Sequence, residues 1–133
     1  MKIIEVAAGL VFRARKLLIT QRLPDAHLGS LWEFPGGKRE PDETFEQCLV
    51  RELREELGIE VSVGPLVEAI THTYPEKTVH LKFFLCDWVA HEPQPIGCAA
   101  IAWITLDQLS EYAFPDADAQ LLSRLRTDPS LQK

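Results

Sequence analysis

Two runs rich in branched and apolar residues open the chain, Ile3 to Phe12 and Lys16 to Gln21, with the polar patch Arg13-Ala14-Arg15 between them. Their length and composition predict a pair of β-strands. A polar loop follows from Leu23 to Leu31, and Trp32-Glu33-Phe34 leads into Pro35-Gly36-Gly37, a break that neither a helix nor a central strand tolerates well. From about Thr44 to Leu57 the apolar spacing is helical, and Gly58 is placed as a C-terminal cap. Glu60 to Tyr74 reads as one or two strands interrupted at Gly64-Pro65. Thr78 to Val89 alternates Val79, Leu81, Phe83 and Leu85 as a half-buried strand does. Ala99 to Ile104 is a further short strand. Leu106 to Tyr112 and Asp116 to Leu125 look helical, and Thr127 to Lys133 is expected to be a frayed tail. No repeat or low-complexity segment interrupts this order. It predicts one mixed α/β domain over residues 1–133, with helices on both sides of a sheet.

Composition narrows the function more than the fold. The 133 residues are 46% hydrophobic and 26% charged, which suits a single packed core. The net charge of −6 argues against a partner held through phosphate neutralisation along a long nucleic acid. It permits a small phosphorylated substrate, because a divalent cation mediates between acidic side chains and phosphate. Cys48, Cys86 and Cys98 are odd in number and lack C-x-x-C spacing. Reduced thiols and a cytoplasmic location are expected, not a zinc site. The N-terminal run carries Lys2 and Glu5 and reads as a strand, not a signal peptide, and no stretch approaches a membrane span.

The chemistry lies in the predicted first helix. At 3.6 residues per turn, Glu52, Glu55 and Glu56 fall within an arc of roughly 100°, beside the apolar stripe Leu49, Leu53 and Leu57. Neighbouring like charges on a helix repel, and carboxylates late in a helix also face the negative end of its dipole. A bound divalent cation turns that repulsion into coordination, and oxygen ligands suit Mg²⁺ or Mn²⁺. Glutamates and arginines on a helix are, however, often no more than a solvated face.

The wider spacing decides between these readings. Gly37, Glu43, Arg51, Glu52, Leu53, Glu55, Glu56, Gly58 and Ile59 match the pattern Gly-x5-Glu-x7-Arg-Glu-apolar-x-Glu-Glu-x-Gly-apolar, the Nudix box. At roughly one match in fifteen per fixed position, chance produces this less than about once in a million such chains. Nearly the whole chain resembles the small MutT-type Nudix enzymes, which include 8-oxo-dGTP diphosphatases and CTP pyrophosphohydrolases; Trp32-Glu33-Phe34-Pro35-Gly36-Gly37-Lys38 is typical of their approach to the box.

That resemblance implies an α/β/α sandwich with a mixed sheet and a loop–helix–loop metal site. Carried over by position, Glu52, Glu55 and Glu56 would be metal ligands together with the Gly37 carbonyl, and Glu43 and Arg51 would position them. The implied cofactor is Mg²⁺, with Mn²⁺ as substitute. The implied reaction is attack of water at the β-phosphorus of a nucleoside triphosphate, giving the monophosphate and pyrophosphate, with Glu52 orienting or deprotonating the water. Glu52, Glu55, Glu43 and Arg51 form the expected catalytic group. The expected partner is a small nucleoside triphosphate, with no long nucleic acid and no membrane, acting on a monomer or weak homodimer. One departure stands out. Many relatives carry a glutamate six residues before the residue matching Trp103, where this chain has Gly97; the nearest preceding acid is Glu92, which reaches inward only if the loop bends differently.

Substrate contacts are expected from Arg22 and His27, which match family active-site positions, and from Phe34 and Tyr74, which can frame a base over an apolar floor of Val6 and Ala8. Each has a plainer alternative: a solubilising arginine, a bystander histidine, ordinary core. Asp118 stands where the 8-oxo-dGTP enzyme reads the base with asparagine. An ionised aspartate only accepts hydrogen bonds, from the cytosine amino group or from the N7–H of oxidised guanine; a helix N-cap is its other use. The resemblance therefore points to sanitising of 8-oxo-dGTP or related damaged purines, a role in nucleotide-pool sanitation and DNA repair. A CTP or modified-dCTP pyrophosphohydrolase is the alternative, followed by a non-catalytic nucleotide-binding domain.

Overall fold

In the computed structural model, which describes residues 2–131, the two opening runs are strands β1 (Lys2–Arg13) and β2 (Lys16–Gln21). The short β3 (Trp32–Glu33) and β4 (Gly36–Lys38) precede helix α1 (Phe45–Leu57); then follow β5 (Glu60–Tyr74), β6 (Lys77–Ala90), β7 (Ala100–Ile104) and helix α2 (Ala119–Thr127). β1 and β6 run parallel from Lys2↔Lys77 to Phe12↔Asp87, and this long pairing is the spine of a mixed sheet ordered β3-β2-β1-β6-β5. β4 pairs antiparallel with β1 and β7 with β2.

Side chains of a strand alternate between faces, and β1 uses this to serve two cores. Ala8, Leu10 and Phe12 join Phe83, Leu85, Leu121 and Leu125 on one side. Ala7 and Val11 join Leu49, Leu53, Leu57 and Phe84 on the other, so α1 and α2 cover opposite faces as expected. α1 begins with a capping box. Thr44 accepts from Gln47 N, and Gln47 Oε1 accepts from Thr44 N at 2.9 Å. It ends at Gly58, whose φ of 69° is the left-handed conformation that glycine adopts at low cost.

Four details differ from the sequence-based expectation. Gly36-Gly37-Lys38 does form a strand, since a Cβ at Gly36 would fall 1.9 Å from Ala7 O and only glycine lets β4 approach β1. β5 continues through Gly64-Pro65 by a register shift, which an edge strand permits because its outer N–H groups have no ladder partner. Leu106–Glu111 and Asp116–Asp118 are 3₁₀ turns and not α-helices. Pro129–Leu131 is a further turn that buries Leu131, so the expected frayed tail is anchored up to that point; Gln132 and Lys133 lie outside the described residues. Cys48, Cys86 and Cys98 are all free and buried. Among the described residues no helix is long and apolar enough to cross a membrane.

Candidate active site

One cavity of about 450 Å³ opens between β1, α1, the loop after β2 and the turn before α2. One end is acidic. β4 presents Gly37 beside α1, and a Cβ on Gly37 would land 2.3 Å from Glu52 Oε2, so the missing side chain leaves room for that carboxylate against the backbone. Cys48 Sγ donates to Gly37 O at 3.5 Å. Arg51 grips Glu43 with two bonds, Nη2 to Oε1 at 2.6 Å and Nε to Oε2 at 3.0 Å. It also donates to Glu52 Oε1 at 2.9 Å, Glu55 Oε1 at 3.1 Å and Lys38 O at 3.2 Å. Its fixed fork of donors ties the loop before α1 to the helix.

Electrostatics divide these acids. The bonds from Arg51 and from Glu40 N hold the Glu43 carboxyl at about 2. Burial, with Glu52 and Glu33 nearby, pushes Glu56 up to about 8. Glu52 is raised as well, because burial outweighs the help of Arg51. Two neighbouring carboxyls raised chiefly by burial are a cluster that an added positive charge would favour in its ionised form.

The other end is mostly apolar. Tyr74 and Asp118 line the cavity beyond the acids, and Val6, Ala8 and Phe34 are its apolar wall, with Val6 and Ala8 opposite Lys38 and Gly36 of β4. Asp118 occupies the N-cap position of α2 but makes no side-chain capping bond, and burial beside Glu33 raises its carboxyl to about 7. Tyr74, at the tip of the β5–β6 hairpin, meets His27 edge-on at 5.1 Å and His72 at 4.5 Å. His27 is lowered by burial and by the positive charges of Lys77 and Arg22. Between the two ends Arg22 donates through Nη1 to Glu33 Oε1 and through Nε to His27 O, each at 2.7 Å.

Gly37, Glu52, Glu56, Arg22, His27, Phe34, Tyr74 and Asp118 thus all face one cavity. Three other placements bear on the expected site. Glu55 is exposed and held by Arg51 outside the cavity lining; no three His, Cys, Asp or Glu side chains among the described residues are close enough to hold an ion as they stand. Phe34 is 3% exposed, stacked on Phe114 and edge-on to Phe83, so it is a fixed wall of the core and not a free stacking face. Glu92 pairs with Arg13 at 2.6 Å and does not bend inward. Among the lining residues that sequence reasoning misses are Lys77 and Glu33. Lys77 gives no signal beyond its charge. Glu33 does, as an acid between two aromatics on a strand, opposite the buried Thr20 in the pairing of β2 with β3.

The model of the NUDIX domain matches residues 7–124. This chain belongs to the Nudix family. It is 41% identical to the CTP pyrophosphohydrolase of Escherichia coli, over 92% of this chain and 90% of that one. It is 35% identical to the 8-oxo-dGTP diphosphatase of the same organism, over 95% and 98%. The solution structure of the E. coli ORF135 protein superposes with a TM-score of 0.83 at 38% identity, covering 98% of this chain and 96% of that one. Nudix hydrolases generally use a divalent metal. The acidic end fits one: its donors are hard oxygens, the glycine at 37 leaves space for a carboxylate, and Glu52 and Glu56 lie side by side with their carboxyls raised chiefly by burial.

Proposed function

We propose that this Nudix domain is a Mg²⁺-dependent pyrophosphohydrolase that converts a nucleoside triphosphate to the monophosphate and pyrophosphate. The observation that carries the reading is the two-ended cavity, with Gly37, Glu52 and Glu56 at one end and Tyr74 and Asp118 at the other. Gly37, Glu52 and Glu56 would hold the ion, joined by Glu55 on release from Arg51. Mn²⁺ is an acceptable substitute for such oxygen donors. When bound, the metal neutralises phosphate oxygens and acidifies water.

The chain's own groups do the rest. Glu52, placed by Gly37 and Arg51, accepts the proton of the attacking water at a carboxylate oxygen. Arg22 is a guanidinium within the cavity that can trade Glu33 for a phosphate. Tyr74 flanks the base, and Asp118 accepts a hydrogen bond from its edge. Glu43 and Arg51 hold the ligands in place.

For the base, the reading is 8-oxo-dGTP or a related oxidised purine, with sanitation of the nucleotide pool as the role. CTP or a modified dCTP is the second reading, favoured by the aspartate at 118 in place of a group that also donates. Buried free thiols accord with a cytoplasmic setting; we take the acting unit as a monomer or weak homodimer. The test is pyrophosphate release from a panel of triphosphates with Mg²⁺. Among them 8-oxo-dGTP should be the substrate with the highest kcat/KM. Much faster turnover of CTP or 5-modified dCTP would replace the purine assignment with the second reading. No release from any triphosphate would leave a nucleotide-binding domain without catalysis.

A further inference from the structure

The connection from His91 to Ala99, between β6 and β7, is fixed at both ends and in its middle. At its start Trp88 Nε1 donates to His91 O at 2.7 Å, and Glu92 pairs with Arg13, whose guanidinium lies 4.8 Å from the Trp88 ring centre and 4.4 Å from that of Trp103. At its end Ala99 N donates to Gln21 O at 2.8 Å. In the middle Gln94 N donates to Leu57 O at 2.9 Å and Gly97 N to Glu56 O at 3.0 Å, while Ile96 N is shared between Glu56 O at 3.2 Å and Gln94 O at 2.8 Å. The Leu57 and Glu56 carbonyls belong to the last turn of α1, which has no partners within the helix.

Gly97 also lies along the side chain of Glu56. A Cβ on Gly97 would come to 3.1 Å from Glu56 Cγ and 3.3 Å from its Cβ. Gly97 is not among the glycines with positive φ, so its backbone does not demand glycine. What glycine supplies here is close approach to the Glu56 stem. Glu56 is therefore held twice by one segment, through its carbonyl and along its aliphatic stem, while its carboxyl faces the cavity.

We infer that the segment 91–99 braces Glu56, and that Gly97 is a positioning residue for the metal end of the site. The inference rests on the reading of Glu56 as a metal ligand. A carboxylate ligand binds best when its rotamer is fixed before the ion arrives. A methyl group at 97 makes the Glu56 stem or the segment give way by a few tenths of an ångström, which loosens the fit of the stem and strains the two hydrogen bonds at Glu56 O. Both disorder the ligand.

The experiment compares the intact protein with Gly97→Ala and Glu56→Gln, titrating each with Mn²⁺ without nucleotide and following the free ion by electron paramagnetic resonance. Thermal melting checks each fold. Glu56→Gln is expected to lose most Mn²⁺ binding, and Gly97→Ala to weaken it by about tenfold, the usual scale for groups that orient metal ligands. If Glu56→Gln loses the ion and Gly97→Ala binds as the intact protein does, the brace is refuted. If both bind as the intact protein does, the assignment of Glu56 itself fails. Amide exchange in the intact protein provides a measure that needs no variant. Gly97, whose amide donates to Glu56 O, should exchange as slowly as amides in the body of α1, and exchange at an unprotected rate would overturn the brace.

Discussion

The two ends of the cavity are both lined by acids with raised carboxyls, yet they are built in opposite ways. The metal end comes from one short stretch, Gly37 to Glu56, in which a strand, a loop and a helix are joined by Arg51. The base end draws on β1, the loop after β2, the β5–β6 hairpin and the turn before α2. Their acids differ accordingly. Glu56 is raised by burial and by neighbouring glutamates, a repulsion that a cation relieves. Asp118 is raised mainly by burial, with Glu33 secondary, so a hydrogen-bonding base edge suits it better than an ion. One end is arranged for charge and the other for shape.

The sharpest way to break this division is Glu52→Gln. If the acidic end performs the chemistry, this nearly isosteric change should lower kcat by about 10³-fold, the scale of a lost general base, with the melting temperature preserved. Pyrophosphate release at saturating Mg²⁺ measures it, and an unchanged rate removes the catalytic role of that end. Next in size is Arg51→Lys. Lysine keeps the charge but loses the fork that spans Glu43, Glu52 and Lys38 O. Apparent Mg²⁺ affinity should fall roughly 10- to 100-fold, measured as the metal concentration for half-maximal rate. An effect confined to nucleotide KM would instead assign Arg51 to the base end.

The same contrast explains what is legible in the sequence. Spacing along a helix fixes angles, so periodicity alone places Glu52, Glu56 and their apolar neighbours Leu49, Leu53 and Leu57, and the Thr44 and Gly58 caps mark the helix ends. Where a flexible side chain points is another matter. Glu55 follows Arg51 and not the cavity, and helical angle carries no record of that competition. Phe34 does line the cavity, but its stack on Phe114 comes from a segment 80 residues away and is invisible in the local pattern. Glu33 sits within the approach to the box with its role hidden, because its contact with Arg22 depends on β2 pairing with β3. β4 reads as a break because close approach of two backbones looks, in sequence, like glycine flexibility.

A moderate effect is expected at Asp118. Asparagine keeps an acceptor and adds a donor for the guanine O6, so Asp118→Asn should shift preference toward 8-oxo-dGTP over CTP by roughly tenfold in kcat/KM, about one hydrogen bond. pH supplies an independent check. The carboxyl ionises near 7 in the folded protein and at 3.8 as a free side chain, so the folded state holds the proton more tightly. Its contribution therefore lowers stability as pH rises from about 4 to about 7 and is constant above. Removing it should make Asp118→Asn more stable than the parent at pH 8, by an amount on the order of a few kcal/mol at most, with the difference vanishing near pH 4. Urea unfolding at the two pH values tests this. A difference independent of pH would show that Asp118 is not buried as an acid.

The smallest effect is expected at His27, and it separates framing from chemistry. His27 touches Tyr74 edge-on, and its backbone carbonyl receives Arg22 Nε, a bond that substitution of the side chain leaves in place. An aromatic edge contact contributes about 0.5–1.5 kcal/mol, so His27→Ala should raise nucleotide KM by roughly two- to tenfold through loss of support for Tyr74. kcat should stay within about twofold, because no proton transfer passes through the ring. The ionisation of the imidazole is lowered below the ordinary histidine value by burial and by the positive charges of Lys77 and Arg22. The rate profile of the intact enzyme above pH 6.5, the ordinary histidine value, should therefore keep its shape in His27→Ala. A fall in kcat instead of a rise in KM, with a changed profile, would move His27 from the framing of the base into the reaction itself.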